Sequence, residues 1–588
     1  MSENLDRIEK IRNLLKKKKF DGYILSTFDE YLNEYVPDYN QRLKWLTGFT
    51  GSSGLVLLID DRCLFFTDGR YLVQAKKEIS DVFEIIDLST QNIFDWLLKN
   101  VPKEKRICVD QNINSISFIQ KLEKVAKKNK ISLRLSKKIL IDNIRNVQRH
   151  PNKNKAYLLP NKLSGENSKV KIQNLKMKIK NIDYFIITDP HSVNWLLNIR
   201  GNDLQYTPIV LCRMIITSFN RHYLFIDENK LDKKILEYFK SLNIEVFDEK
   251  SIFEKIRHFS SKSKVMIDEN ATYIFYYLLK KNRITPLTSR QECKLDKSKK
   301  NKIEIKNAVL THNIDALALI KFIYWLESCA NSKNLNEYIL LRKLEEYRRQ
   351  NKIYVGPSFS TISAAGKNGA IIHYSPLKTK SRNLENGDIY LCDSGGQYIT
   401  GTTDVTRTFF FGNMKPNKVL KFFYTKVLKG HVSLSMIKFP RNTKGVQLDS
   451  IARRYLWKIG LDYNHGTGHG VGNFLNVHEG PQSISKYLVN VSLEEGMILS
   501  IEPGLYLENK FGIRIENLVY VTKSEYKGFF EFETLTMVPY EKDLINESEL
   551  EVDQINWINN YHKKIFKVLS PLLNKNEKRW LKNKTLPI

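Results

Sequence analysis

LCDSGGQYITGTTDVTRTFFF, residues 391–411, is the stretch on which the fold turns. β-Branched and aromatic residues flank a Gly-Gly turn, a pattern that predicts a hairpin carrying Asp393 and Asp404. Across paired strands the two carboxylates can converge. Downstream, HGTGHGVGNFLNVHEGP (465–481) holds His465, His469 and His478. The glycines on both sides of His469 disfavour a helix and let other groups approach the backbone closely. ILSIEPGLY (498–506) brings Glu502 to a strand end at Pro503 and Gly504, and GIRIENLVYV (512–521) reads as one alternating strand with Arg514 and Glu516 on the same face.

Taken singly, each residue has a bland reading. An Asp opening a turn is ordinarily a turn residue, and a His between glycines is ordinarily exposed. The ordered set Asp, Asp, His, Glu, Glu, each in a strand-and-glycine setting, asks for more. Four carboxylates share a pocket only if cations cancel their repulsion. Two divalent metals balance them, and oxygen-rich donors with one imidazole suit Mn²⁺, Co²⁺ or Zn²⁺. Metals about 3.5–4 Å apart hold a bridging hydroxide as nucleophile and polarise a carbonyl.

Upstream the chain repeats itself. GYILST (22–27), RLKWLTGF (42–49), LFFTDGRY (64–71) and RICVDQNINSISFIQKLEK (106–124) have counterparts, in order, in DYFIIT (183–188), SVNWLLNI (192–199), YLFIDENK (223–230) and KVMIDENATYIFYYLLKK (264–281). Each copy reads as strand, helix around Trp-Leu, strand hairpin, then a strand ending in Asp and a helix. That alternation implies two similar α/β domains. Lys/Asn-rich segments near 150–168, with Pro151 and Pro160, and near 294–304 read as linkers, followed by a long amphipathic helix over 305–327. The expected domains are 1–155, 156–298 and 299–588, the last of α+β type.

At 588 residues, 42% apolar and 11% aromatic, the chain is a folded multidomain protein. Its N-terminus lacks the apolar core of a signal peptide, and the most apolar candidate span, 207–219, is broken by Arg213, so no membrane segment is expected. The six cysteines form no CxxC pair, which fits free thiols in a reducing compartment. A net charge of +30 would suit a polyanion binder, yet the lysines (Lys16–Lys19, Lys127–Lys128, Lys299–Lys300, Lys563–Lys564) are dispersed and no nucleic-acid motif accompanies them. They read as solvated surface, with no specific nucleic-acid partner.

The motifs resemble those of the pita-bread metallopeptidases, and most closely the three-domain cytosolic aminopeptidase P type. FSTISAAGKNGAIIHYSP (359–376), FGIRIEN (511–517), LTMVPY (535–540) and NNYHKKI (559–565) add to the five-residue set, while WLTGFTGSSG (45–54) and TDGRY (67–71) resemble the family's N-terminal domain. The resemblance implies two creatinase-like α/β domains before a pita-bread catalytic domain, two divalent metals (Mn²⁺ first, Zn²⁺ or Co²⁺ otherwise), a cytoplasmic location and a homodimer through the last domain. It implies hydrolysis of the N-terminal Xaa-Pro bond of peptides with proline at position 2. Asp393 would bind one metal in bidentate fashion, Asp404 and Glu516 would bridge both, and His469 and Glu502 would complete the second metal's shell. Glu502 would shuttle the proton. His465 and His478 would line the scissile bond, His478 as oxyanion donor. His373 and Arg514 would help form the prolyl pocket, and Arg70 would reach substrate from the first domain. A prolidase acting only on dipeptides is the nearest rival, disfavoured by the second α/β copy. A ligand-free chaperone of the same fold is disfavoured by the intact five-residue set.

Overall fold

The computed structural model describes residues 3–147, 152–289, 292–329 and 334–588. Pro151 of the first expected linker lies outside the described residues. The chain divides into two compact units, Met1–Pro160 with Glu166–Cys293, and Asn161–Gly165 with Lys294–Ile588.

The first unit contains both copies of the repeat. The strands Gly22–Ser26, Leu55–Ile59, Arg62–Thr67, Glu84–Asp87, Arg106–Asp110 and Ser132–Ser136 form one six-stranded sheet. Numbered along the chain, their spatial order is fourth, third, second, first, fifth, sixth. Tyr184–Ile187, Cys212–Thr217, His222–Ile226, Ile244–Phe247, Val265–Asp268 and Leu287–Ser289 form a second sheet in the same order. In each, the first strand pairs antiparallel with the second and parallel with the fifth. The Trp-Leu segments are short helices, Arg42–Thr47 and Pro190–Leu196. Equivalent turns of the two copies meet reciprocally: Ile116 N–H donates to Ala271 O and Tyr273 N–H to Asn114 O, both at 2.9 Å. Ser115 and Thr272 thus form a bridge between like positions, a local pseudo-twofold contact.

The second unit begins with helix Lys302–Ser328, capped by Asn301 and Glu304 in a reciprocal capping box. Among the described residues it is the one helix long and apolar enough to cross a membrane by length and composition, although no such segment is expected from the sequence. Its packing explains the composition. Ala316, Leu319, Ile320, Phe322 and Ile323 enter the largest core cluster, and buried Asp315 pairs with Arg348 at 2.8 Å. It is a core helix. Two small antiparallel sheets, Ile362–Ala365/Ile389–Ser394/Val405–Phe410 and Lys438–Pro440/Phe529–Thr534/Asn517–Lys523/Ile498–Ile501, carry or border the four acidic candidates, while His469 and Arg514 lie in separate two-stranded pairings. Helices Lys418–Ser435, Gly445–Trp457 and Val552–Leu569 complete the unit.

Two expectations change. The segment 294–304 is not a solvated linker: Lys297 and Lys300 are buried, with their ammonium groups 3.1 and 2.8 Å from the buried Glu479 carboxylate. Lys300 therefore leaves the set of surface lysines, because a buried carboxylate needs the charge. GIRIENLVYV is not one strand either. Phe511–Arg514 pairs with Gly504–Leu507, and Asn517–Lys523 pairs with Ile498–Ile501 and Phe529–Thr534. At the switch, Ile515 N–H donates to Pro503 O and Glu516 N–H to Thr406 O.

Candidate metal centre

Asp393 ends the strand Ile389–Ser394, and Asp404 immediately precedes its antiparallel partner Val405–Phe410, with Asp393 registered opposite Thr406. Both flanks are braced by one buried ion pair. Asp315 accepts from Arg348 at 2.8 Å, from Tyr398 Oη at 2.7 Å and from Thr403 Oγ1 at 3.0 Å, while Arg348 Nη2 donates to Ser394 Oγ at 3.1 Å. Ser394 and Thr403 are the chain neighbours of the two aspartates.

His469 sits in the two-residue strand Gly468–His469, and its backbone N–H donates to Ser500 Oγ at 3.0 Å. Gly468 allows this, since a Cβ there would fall 1.9 Å from Ser500 O. The imidazole is oriented by Gly470 O, 2.9 Å from Nδ1. A carbonyl only accepts, so Nδ1 carries a proton and Nε2 is the ring nitrogen turned away from the backbone. It faces Asp404 Oδ2 at 3.5 Å and Glu502 Oε1 at 3.6 Å.

One ligand atom from each of Asp404, His469 and Glu516 lies within 4.8 Å of the other two. Glu516 is buried and accepts from Thr406 Oγ1 at 2.8 Å. Burial, then the charges of Asp393 and Glu502, push the Asp404 carboxyl well above the usual range. Burial, then Asp404, Glu502 and Asp393, do the same to Glu516. Glu502 is raised because its burial outweighs the pull of His469 and Arg514. Arg514 Nη2 donates to Asp393 Oδ2 at 2.5 Å, and the buried Asp393 Oδ1 has no hydrogen-bond partner among the described residues. An imidazole nitrogen turned toward carboxylates, carboxylates that repel one another and a buried carboxylate oxygen without a donor among the described residues share one requirement, a cation. The residues fit divalent metal binding.

The sequence-selected histidines fall around this group. The His478 ring stands perpendicular to that of His469, with centroids 4.5 Å apart. His465 donates from Nδ1 to Gly466 O and accepts at Nε2 from Tyr506 Oη, each at 2.8 Å; its Nδ1 lies 4.0 Å from Glu502 Oε2. His373 follows Ile372, whose carbonyl accepts from Arg514 Nη2 at 3.4 Å. Arg70 lies in the other unit, where Asp68 holds its guanidinium at 2.7 and 2.9 Å.

Comparison with known proteins matches this geometry to a family. The model of metallopeptidase family M24 matches residues 309–523, and that of its C-terminal region matches 528–588. Models of the Creatinase/Prolidase N-terminal domain match 7–147 and 148–304. Xaa-Pro aminopeptidase 1 of Dictyostelium discoideum is 38% identical, covering 99% of this chain and 96% of its own. The chain belongs to the Xaa-Pro aminopeptidases of metallopeptidase family M24.

Other members agree over the whole length. A probable Xaa-Pro aminopeptidase P of Coprinopsis cinerea is 35% identical, covering 98% of this chain and 97% of its own. The X-prolyl aminopeptidase of Caenorhabditis elegans, described as a cytosolic enzyme with a di-nuclear active site, superposes over the full length of both chains with a TM-score of 0.96 at 31% identity. The prolidase of Pyrococcus horikoshii matches 63% of this chain with a TM-score of 0.50. The fold is therefore two creatinase-type domains followed by the M24 pita-bread domain.

Within this aminopeptidase framework, sequence reading missed several supporting residues. Thr406 links Glu516 to Arg514, receiving from Arg514 Nε at 3.3 Å. Tyr506 accepts from Arg514 Nη1 at 2.7 Å and so couples it to His465. Arg407, fully buried, donates to Glu516 O at 2.7 Å. The alternation of TDVTRT was the available signal for Thr406, since it places Thr406 on the face of Asp404. Asp315 and Tyr506 carried none.

Proposed function

We propose that this protein removes the residue preceding proline from the N-terminus of peptides, using two divalent metals held by Asp393, Asp404, His469, Glu502 and Glu516. The observation that carries the reading is His469 Nε2 turned toward Asp404 and Glu502 beside Glu516, in a chain whose relatives over its whole length are Xaa-Pro aminopeptidases. When bound, the metals would acidify a water and polarise the scissile carbonyl. Glu502 would take a proton from the attacking water and return it to the leaving imide nitrogen. His478 donates to the oxyanion. His465 is held by Gly466 O and Tyr506, which fix its ring beside Glu502. His373 and Arg514 border the prolyl ring.

The chemistry suits proline. An Xaa-Pro bond has no N–H, so a protease that seats its substrate through that amide loses the contact. Gripping the free amine and the carbonyl at a metal pair avoids the need. Mn²⁺ as the native metal, a homodimer through the second unit and a cytosolic location belong to the same reading, the last supported by the description of the C. elegans enzyme.

The test is hydrolysis of Arg-Pro and Arg-Pro-Pro with added Mn²⁺, Zn²⁺ or Co²⁺ and a chelator control. Cleavage of the tripeptide at least as fast as the dipeptide is expected. Activity on the dipeptide alone would make the protein a prolidase.

A further inference from the structure

The first unit holds a cavity of about 490 Å³ between its two α/β domains. It is lined by Tyr31, Tyr39 and Lys138 from the first copy and by Arg213, Lys250 and Phe253 from the second. The size is that of a small-molecule site. None of the candidate metal ligands lies in this unit.

Arg213 is the informative residue. It is 3% exposed, stacks 3.8 Å over the Tyr31 ring, donates to Glu30 O at 2.7 Å and lies 3.8 Å from Glu249. Its Nε–H is buried with no acceptor among the described residues. Behind the cavity wall the pattern recurs. Arg42 and Arg145 both pair with Asp142, yet Arg42 Nη1 and Arg145 Nε are also buried without an acceptor. Buried guanidinium N–H groups rarely go without one, because desolvation without a bond costs free energy. Arg213 is the one of the three that lines the cavity, where an anion would bring acceptor oxygens.

The charge agrees. Glu30, Asp142 and Glu249 are each engaged by an arginine of this cluster. Lys137, Lys138 and Lys250 are exposed around the cavity, so cations outnumber carboxylates. Tyr39 and Phe253, both half-buried, offer apolar surface for a planar body. We propose that this cavity binds a small organic phosphate, its phosphate directed to Arg213 and the rim lysines and its body against Tyr39 and Phe253.

The experiment is calorimetric titration of the metal-loaded full chain with adenosine monophosphate, inorganic phosphate and adenosine, at low and at physiological salt. Adenosine monophosphate is expected to bind at least about tenfold tighter than adenosine, and more weakly as salt rises. Lys250→Glu, a surface change, should weaken that binding about tenfold or more without altering the melting temperature or peptide hydrolysis. Arg213→Gln should do so more strongly. Anions can also bind at metals, so phosphate or nucleotide binding that persists in Lys250→Glu places the ligand elsewhere and overturns the assignment. Equal binding of adenosine and its monophosphate, or none at millimolar concentration, overturns it as well.

Discussion

Asp315 and Arg348 form a buried ion pair at 2.8 Å that also holds Thr403 and Ser394, the neighbours of Asp404 and Asp393. Removing the carboxylate charge leaves a guanidinium buried and uncompensated. Asp315→Asn should cost about 3–5 kcal/mol in denaturant unfolding, as broken buried pairs do. It should also weaken metal binding about 10–100-fold, the usual effect of disturbing groups behind the ligands. Wild-type stability with wild-type metal affinity would remove the pair from this role.

Asp404 lies among the closest donor group and opposes Glu502 across His469. Asp404→Asn should abolish turnover, leave the far-ultraviolet circular dichroism unchanged and lower metal affinity by about 10–100-fold or more. Residual activity above a few percent in the purified variant would contradict a dinuclear site built on Asp404.

The two facing histidines separate by metal content. His469→Ala deletes a ligand, so bound metal and activity should fall together, and excess Mn²⁺ should restore part of both. His478→Ala deletes an oxyanion donor, a loss of roughly 10²–10³ in turnover with metal content unchanged. Elemental analysis beside kinetics on the same preparations decides. The opposite pattern would exchange the two roles.

Asp110 predicts how stability depends on pH. Burial raises its carboxyl from 3.8 to about 7, only partly offset by hydrogen bonds from Tyr23 and Leu140. A raised carboxyl is neutral in the fold while already ionised in the unfolded chain, so its contribution is complete below about pH 4. It is lost as the pH climbs to about 7. Asp110→Asn should flatten that decline in unfolding curves measured between those pH values. An identical slope in variant and wild type would show that Asp110 does not titrate there.

Much of the candidate site was legible in the chain because its chemistry is written locally. Glycines flank His469 where a Cβ at Gly468 would strike Ser500 O and one at Gly470 would strike Glu479 O. Alternation in TDVTRT and the Glu502-Pro503-Gly504 strand end marked residues whose neighbours in sequence are neighbours in space. The repeat was legible for the same reason, since each piece is a short element with its own apolar period. Its symmetry extends to the reciprocal bonds between Ile116 and Ala271 and between Tyr273 and Asn114.

What the sequence determined by itself was therefore the order of acidic and imidazole residues, the two α/β copies and the strand-rich unit after them. Tertiary structure alone decided the partners: Lys300 with Glu479 across 179 residues, Asp315 with Arg348 and Thr403, Arg514 with Asp393. A lysine in KLDKSKKNKIE looks like any solvated lysine until the fold buries it beside a carboxylate. Charge pairing at long range depends on which surfaces the packed core brings together, and desolvation then makes each such pair obligatory.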